Sequence, residues 1–455
     1  MSFSSWVFCA YAALLLWLGW RGGGARDSDT FFVHNRRAGA GAVAVSMVAS
    51  CVGGSATLGM TGLAWQVGTP AFWWLGAGAL GLVVLAVALA RRVRETAAYT
   101  LPELVTSCMG PAARPVLAVI VVIAWLAIAG AQFAAMAAIA APMTGLSHTA
   151  ALWASAGLVL AYAGAGGQAA VFRSDGAQLA VLLVALLAAL WGAVAQHGPG
   201  LSGVAAAFAP VRLEAVNADF GVDRLRYFLC IIGGSYVVCP MLFGRVLSAR
   251  SAACAVRGTW LAALGLALAA ALVVAVGLTC RGVVDPLGDP ESVLTTALLA
   301  HTPPWLGTLV LLGVFSAVVS SADSCCLTAA TVLSHDLLRS QSLRCCRLCL
   351  AATCLGGVAL ALSGRGILQL LLMANDVYVC GVVLPVFVSL VLHRWCVFRQ
   401  GMLLAAMLVG GALGLAAAAS GDSAWSFAGL VAGLLLSLLA ARPRKSPLGK
   451  ARGVA

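Results

Sequence analysis

Charge is what this 455-residue chain has least of: Asp, Glu, Lys and Arg together make up 9% of it, and it holds only 15 acids and 6 histidines. A soluble globular domain carries about 25% charged residues, so this composition excludes that class. The hydrophobic fraction of 62% points to a polytopic membrane protein instead. The formal charge of +12 does not indicate nucleic acid, because the basic residues sit in short segments between apolar runs and not on one face or tail. Histidine is too sparse to supply an enzyme: none of the six stands beside a plausible nucleophile in the apolar stretches. The 15 cysteines are no disulfide framework, since most fall within apolar runs, where Cys behaves as a small hydrophobe. Cys345, Cys346 and Cys349 are clustered but have no His near them, so no structural metal site is expected.

Runs long enough to cross a hydrocarbon core of ~30 Å occur at about 3–20, 41–62, 71–90, 115–142, 150–166, 177–196, 226–243, 257–280, 305–333, 347–364, 367–392, 401–420 and 424–441. With the N-terminus outside and the C-terminus cytoplasmic, only Arg212, Arg224, Arg226, Arg281 and Arg365 of the 27 Lys and Arg fall on the outer side. Arg245, Arg250 and the tail residues Arg442, Arg444 and Lys445 then count as cytoplasmic. Basic residues collect in cytoplasmic loops, so the expectation is a multi-pass protein of the cell (plasma or inner) membrane in that orientation. The first run has its basic flank after it, opposite to a secretory signal, and reads as a retained extra helix. Two longer external loops, 197–225 and 281–304, carry Glu214, Asp219, Asp285 and Glu291 and read as solvated loops.

Two apolar segments carry the same small-residue signature, Cys51-Val52-Gly53-Gly54-Ser55 and Cys230-Ile231-Ile232-Gly233-Gly234-Ser235. A Gly pair in a spanning helix either lets two helices pack closely or marks a break whose freed backbone lines a cavity. Matched breaks in two halves of a carrier are a pointer to its binding site.

Ionisable residues inside a membrane are costly and are functional candidates by default. Asp323 lies in Ser316-Ala317-Val318-Val319-Ser320-Ser321-Ala322-Asp323-Ser324, where Ser316, Ser320 and Ser324 form one helical stripe and Ser321 stands over Ala317. Such hydroxyls, joined by carbonyls freed at a broken helix, suit a small hard cation such as sodium; the alternative is a set of serines bonded back to their own helix. Asp376 shares a face with Gln369, Met373 and Cys380 and has no basic residue at its depth. It must be protonated or hold a cation, either the coupling ion or an ammonium group of a solute.

Several stretches, in order, resemble the sodium/solute symporter (SSS) family. Asn35-Arg36-Arg37 leads into Val48-Ala49-Ser50-Cys51-Val52-Gly53-Gly54 and Gly59-Met60-Thr61-Gly62, which is similar to the family's first core helix. Thr100-Leu101-Pro102-Glu103, Gly166-Gly167-Gln168-Ala169-Ala170-Val171 with Asp175 and Gln178, Gly244-Arg245-Val246-Leu247-Ser248-Ala249-Arg250 and Ser320-Ser321-Ala322-Asp323-Ser324 resemble later motifs. The resemblance implies an all-α, leucine-transporter-like inverted repeat. Residues 1–40 would be an extra helix and loop, 41–196 the first repeat, 197–225 an external loop, 226–393 the second repeat, 394–441 two further helices and 442–455 a basic tail. It implies a sodium-coupled symporter with sodium and a small solute as its partners, and with no organic cofactor, nucleic acid or obligate protein partner. Sodium would rest on the carbonyls of Ala49, Val52 and Ala317 and the hydroxyls of Ser320 and Ser321, with Asp175 and Asp323 on the ion's path.

Within the family the motifs look nearest to the choline-transporter-like branch, except that Cys51 stands where that branch has an aromatic. The solute pocket is expected around Cys51, Ser55, Gly234, Ser235, Tyr236 and Asp376, with Trp73, Trp74 and Gln132 as further walls. A half-helix dipole there would receive a carboxylate and Asp376 an amine, which suggests an amino acid or an organic cation. The alternatives are coupling to protons, with Asp376 or Asp323 as carrier, and a transporter-like sensor working with a separate signalling partner.

Overall fold

The computed structural model describes residues 3–21, 25, 27–195, 208, 213–281, 290–301, 303–364 and 366–444. Much of the first external loop, residues 282–289 with Asp285, Arg365 and the basic tail from Lys445 onward lie outside the described residues. Every apolar run read from the sequence is a helix: α1 (Phe3–Trp20), the bent pair α2 (Ala40–Cys51) and α3 (Ser55–Val67), α4 (Thr69–Glu95), α6 (Ala113–Thr144), α7 (His148–Gly166), α8 (Gln168–Ala195), α9 (Val222–Ser248), α10 (Ala252–Thr279), α11 (Pro304–Leu337), α12 (Leu343–Ala361), α13 (Ile367–Leu392), α14 (Gln400–Ser420) and α15 (Ser423–Ala440). A short helix, α5 (Leu101–Met109), joins α4 to α6. In a bilayer a chain without water must satisfy its backbone internally, and helices do so within one segment. Their ends are closed by side chains: Ser147, Ser251 and Asp422 accept the N–H groups of Ala150, Cys254 and Ala424. Among the described residues the strands are confined to a two-stranded ribbon that pairs Cys396–Phe398 with Ala441–Pro443.

The fold is the inverted repeat of leucine-transporter-like carriers, with α2/α3, α4, α6, α7 and α8 as one set of five, α9 to α13 as the other, α1 before them and α14 and α15 after. Burial separates the inner helices from the lipid-facing ones. In α11 89% of the apolar window is buried, against 22% in α1 and 28% in α15, whose Leu435 and Leu439 are exposed as a lipid-facing surface would be. The serine-rich α11 is therefore the core of the molecule, packed against α8, α6 and α2. It fits so closely that a Cβ on Gly313 would lie 2.1 Å from that of Ala185 on α8, the small-residue contact by which membrane helices gain packing.

The two Gly-Gly signatures have different outcomes. The first is a break: α2 ends at Cys51, Val52 takes φ −93° and ψ 73°, and α3 leaves at 70° to α2. The second is not. Gly233 and Gly234 are helical, and the chain leaves helical geometry one turn later, at Val238 and Cys239 ahead of Pro240. Pro240 has no N–H to continue the ladder, so the break falls before it. The glycines of α9 serve close packing, since a Cβ on Gly233 would sit 2.9 Å from the Ala77 carbonyl and one on Gly234 3.2 Å from Val379.

Candidate functional site

At the α2 break the last carbonyls of the half-helix have lost the amides that would follow them in a continuous helix, and α11 supplies their partners. Ser320 Oγ donates to the carbonyls of Ala49 and Ala317, at 2.8 Å each, and Ser321 Oγ donates to the Ser50 carbonyl at 2.9 Å. All these residues are buried. Four of the five residues expected to hold sodium, Ala49, Ala317, Ser320 and Ser321, are thus gathered at one junction. Val52 is the fully buried residue at which the helix breaks, and its carbonyl makes no hydrogen bond to α11. The donor set is all oxygen and uncharged, at the negative end of a half-helix dipole, which suits a hard monovalent cation.

A buried charge network adjoins this junction. Arg245, counted in the sequence among cytoplasmic loop residues, is only 1% exposed and points into the core. Its guanidinium donates to Met241 O at 3.1 Å, Ser46 Oγ at 3.2 Å, Ser50 Oγ at 2.7 Å and Ser324 Oγ. Ser46 in turn donates to Asp175 Oδ2, and Ser324 donates to Asp323 Oδ1 at 2.9 Å. Tyr162 donates to the other oxygen of Asp323. Asp175 and Asp323 are both fully buried, and Asp175 Oδ1 and both amide atoms of Gln178 have no hydrogen-bond partner among the described residues. Arg245 therefore joins, through serines, the two acids that the sequence placed on an ion's path. Its signal was in the sequence: an arginine between Phe243 and Val246-Leu247 at the end of an apolar run is itself an intramembrane charge.

Beside the junction lies a small cavity of about 80 Å³ between α2/α3, α4, α6, α9, α11 and α13, polar and roomy enough to hold more than one water-sized group. Cys51, Ser55, Ser235 and Tyr236 line it, as expected, and so do Trp74 and Gln132. Gly234 does not; it packs on Val379. Asp376 also faces elsewhere. Its Oδ1 accepts Tyr227 and Ser426 hydroxyls at 2.9 and 2.8 Å, in a separate cleft between α13, the start of α9 and the α14–α15 pair. The helical face it shares with Gln369 and Met373 is as read from the sequence, but that face looks away from the cavity, and its neighbour Asn375 looks in. Trp73 is held against the 213–220 segment by a bond from Nε1 to Ala215 O at 3.2 Å. Trp125, Cys239, Cys325 and Asn375 are also among the lining residues; only a fold could bring these scattered residues together.

Gly53 ties cavity and junction to each other. A Cβ there would lie 2.5 Å from Ser321 Oγ and 2.6 Å from Gln132 Oε1, closer than atoms can approach. Gly53→Ala should displace both groups and raise the sodium concentration for half-maximal uptake by about tenfold or more, a loss of ~1.4 kcal/mol. A sodium titration of uptake checks this, and an unchanged midpoint would contradict the geometry.

The Thr100-Leu101-Pro102-Glu103 motif is a helix start. Thr100 Oγ1 accepts the Glu103 N–H at 3.2 Å and Glu103 Oε2 accepts the Tyr99 N–H at 2.7 Å, a variation on the capping box in which Glu103 reaches one residue beyond the N-cap. Burial pushes the Glu103 carboxyl up, but the nearby His335 and the Tyr99 N–H outweigh it and hold the group below the usual range. Thr100 also donates to Asp336 at the end of α11, and Arg114 pairs with the same carboxylate at 2.8 Å. The C-terminal end of α11, the most buried of the described spanning helices, is thereby anchored to α5 and α6.

The fold and a cation-suited junction define a secondary carrier of the inverted-repeat class. Solved structures agree on the fold. The chain is similar over 98% of its length to 99% of a Na+-coupled sialic acid symporter in a substrate-bound outward-open state (14% identity, TM-score 0.81). It is similar over 91% of its length to 95% of Mhp1, a nucleobase-cation-symport-1 family transporter (16%, 0.64), and over 88% to 96% of MhsT in complex with L-phenylalanine (14%, 0.52). No curated protein matches the chain by sequence. A family model does: residues 31–344 match the sodium:solute symporter family, and the chain belongs to that family. It is a multi-pass membrane transporter, not an enzyme, and its family supports sodium as the coupling ion.

Proposed function

We propose that the protein imports a small organic solute driven by sodium, by alternating access, with sodium held on Ala49, Val52, Ala317, Ser320 and Ser321. The observation that carries this reading is the junction at the α2 break, where Ser320 and Ser321 of α11 meet the freed carbonyls of Ala49 and Ser50. A cation there would take the place of these hydrogen bonds: the hydroxyls keep their protons, turn them aside, and offer oxygen lone pairs to the ion together with the carbonyls. Because the two partners belong to different parts of the fold, ion binding would favour the conformation in which α2 and α11 are together.

Asp175 and Asp323 serve the ion's path. The network holds two acids and one arginine, so with both acids ionised it is one negative charge in excess, which a single monovalent cation balances. The partnerless oxygens of Asp175 and Gln178 support a polar route beside the junction. One charge falling through ~100 mV supplies about 2.3 kcal/mol, enough for a solute gradient of ~50-fold. The orientation that suits import is N-terminus outside and C-terminus cytoplasmic, supported by the distribution of basic residues. Among family branches the motifs remain nearest to the choline-transporter-like one, with Cys51 in the cavity wall where that branch has an aromatic. An amino acid or an organic cation was suggested by Asp376 as amine receptor, and its place in that separate cleft removes that support.

Uptake into proteoliposomes at fixed pH separates sodium from proton coupling. An imposed sodium gradient should drive accumulation, and a proton gradient without sodium should not. Accumulation driven by the proton gradient alone would overturn the reading and favour Asp323, bonded to Tyr162, as a proton carrier.

A further inference from the structure

The central cavity has no ionised side chain in its wall. Its 18 lining residues include no Asp, Glu, Lys, Arg or His. It does have polar groups that the protein leaves unused. Asn375 is 8% exposed, and its amide makes no hydrogen bond among the described residues. Trp125 Nε1 is buried without a partner. Gln132 gives its Oε1 to the Gly54 N–H at 2.8 Å, which leaves its NH₂ group as a donor with no partner among the described residues. The buried Ser55 hydroxyl likewise makes no bond among them. Trp125 Nε1 is a fully enclosed orphan, and the other three line the cavity, so a solute that displaces water from it must offer the complement these groups need.

From these groups we infer that the cavity takes an uncharged solute bearing a cis-amide edge, a carbonyl and an N–H side by side, as in a lactam, an imide or a ureide. The inference rests on reading this cavity as the solute site of a sodium-driven carrier. A primary amide such as Asn375 offers one donor and one acceptor along one edge, whichever way it is turned. Its self-consistent partner is another amide edge, donor to acceptor twice. The Trp125 N–H and the Gln132 NH₂ then ask for further acceptors, such as a second carbonyl. An ammonium or quaternary ammonium ion supplies no acceptor and would leave these donors unpaired, with no acid to meet its charge. A carboxylate supplies no donor for the Asn375 oxygen. A saturated apolar solute would leave all four groups orphaned.

The remaining wall fits a flat, polarisable body. The rings of Trp74, Trp125 and Tyr236 and the sulfurs of Cys51, Cys239 and Cys325 surround the same space, and aromatic faces and sulfur both favour conjugated rings over open polyols. Ser321 belongs to the wall as well as to the sodium junction, so a solute seated here touches the ion's own support.

The test uses the full-length protein in proteoliposomes and two readouts. The first is binding of radiolabelled sodium. The second is sodium-dependent protection of the cavity thiols Cys51, Cys239 and Cys325 from methyl methanethiosulfonate, read residue by residue by mass spectrometry, with uptake of radiolabelled uracil alongside. Uracil, glutarimide and 2-pyrrolidone are the amide-edge probes. N,N-dimethyluracil keeps the carbonyls without the N–H groups, and choline, L-proline and acetate represent charged solutes.

At least one amide-edge probe should protect the thiols in sodium, with N,N-dimethyluracil at least tenfold weaker and the charged solutes without effect at equal concentration. Asn375→Ala should weaken that protection at least tenfold while sodium binding is retained. Should that variant fail to fold, Trp125→Phe keeps an aromatic ring on Tyr378 while removing the N–H along with part of the indole, and should cost threefold or more. Protection by choline, proline or acetate but by no amide-edge probe, or protection by none of the panel, overturns the inference, as does an unchanged response in both variants. These failures leave the carrier reading intact wherever the wild type still binds sodium; loss of sodium binding in the wild type would instead strike the carrier reading itself.

Discussion

Ser320→Ala is expected to abolish sodium-stimulated uptake while the protein still reaches the membrane. The Ser320 hydroxyl lies 2.8 Å from both the Ala49 and the Ala317 carbonyl, so its removal takes one ligand from a cation and separates two others. A hydrogen-bond-scale interaction with a charged group is worth about 1.5–3 kcal/mol, which corresponds to a sodium affinity ~10- to 150-fold weaker. Ser321→Ala should act in the same direction, because Ser321 holds the Ser50 carbonyl and lines the cavity as well. Ser320→Thr keeps a hydroxyl and should retain part of the sodium response. The measurement is a sodium titration of uptake at fixed pH beside a surface-expression assay. Wild-type sodium dependence in Ser320→Ala would show that the hydroxyl is not a ligand.

Arg245→Ala is expected to be the most damaging single change to folding. The guanidinium satisfies Met241 O and the hydroxyls of Ser46, Ser50 and Ser324, and those serines carry its influence to Asp175 and Asp323. Removing one partner of a buried charged set costs about 3–5 kcal/mol, because the others stay buried without compensation. A loss of that size lowers protein abundance several-fold or more. Arg245→Lys keeps the charge but not the planar fork that reaches four acceptors, and should rescue only partly. In the double variant Arg245→Ala, Asp323→Asn one uncompensated acid is gone, so the two substitutions should be less harmful together than their sum. Expression level and thermal stability in detergent read both effects. Strict additivity would mean that Arg245 and Asp323 do not share a network.

How far the sequence disclosed this depended on whether a feature was local. The spanning helices were legible because an apolar run of membrane length has few other fates. The junction of α2 with α11, proposed above as the sodium site, was legible from Ser320-Ser321 and Cys51-Val52-Gly53-Gly54, since hydroxyls and a broken helix are each visible in a few residues. The second break was misplaced because Gly233-Gly234 looks like the first pair, while Pro240, which forces the geometry change at Val238 and Cys239, lies a turn beyond it. Asp376 was assigned to the cavity because its depth in α13 was right; which side of that helix faces the cavity depends on the packing of α14 and α15 against it. Arg245 was taken for a loop residue by its place at the end of a run, and only the packing of α9 against α2 and α11 makes it a buried hub.

The central claim is that a cation sits where α2 breaks against α11. Its most direct measure is equilibrium binding of radiolabelled sodium to purified wild-type protein and to the Ser320→Ala, Ser321→Ala double variant, both at one pH and both shown to be folded. Saturable binding to the wild type and none to the double variant over the same concentrations is the predicted result; equal binding by the two would contradict the account.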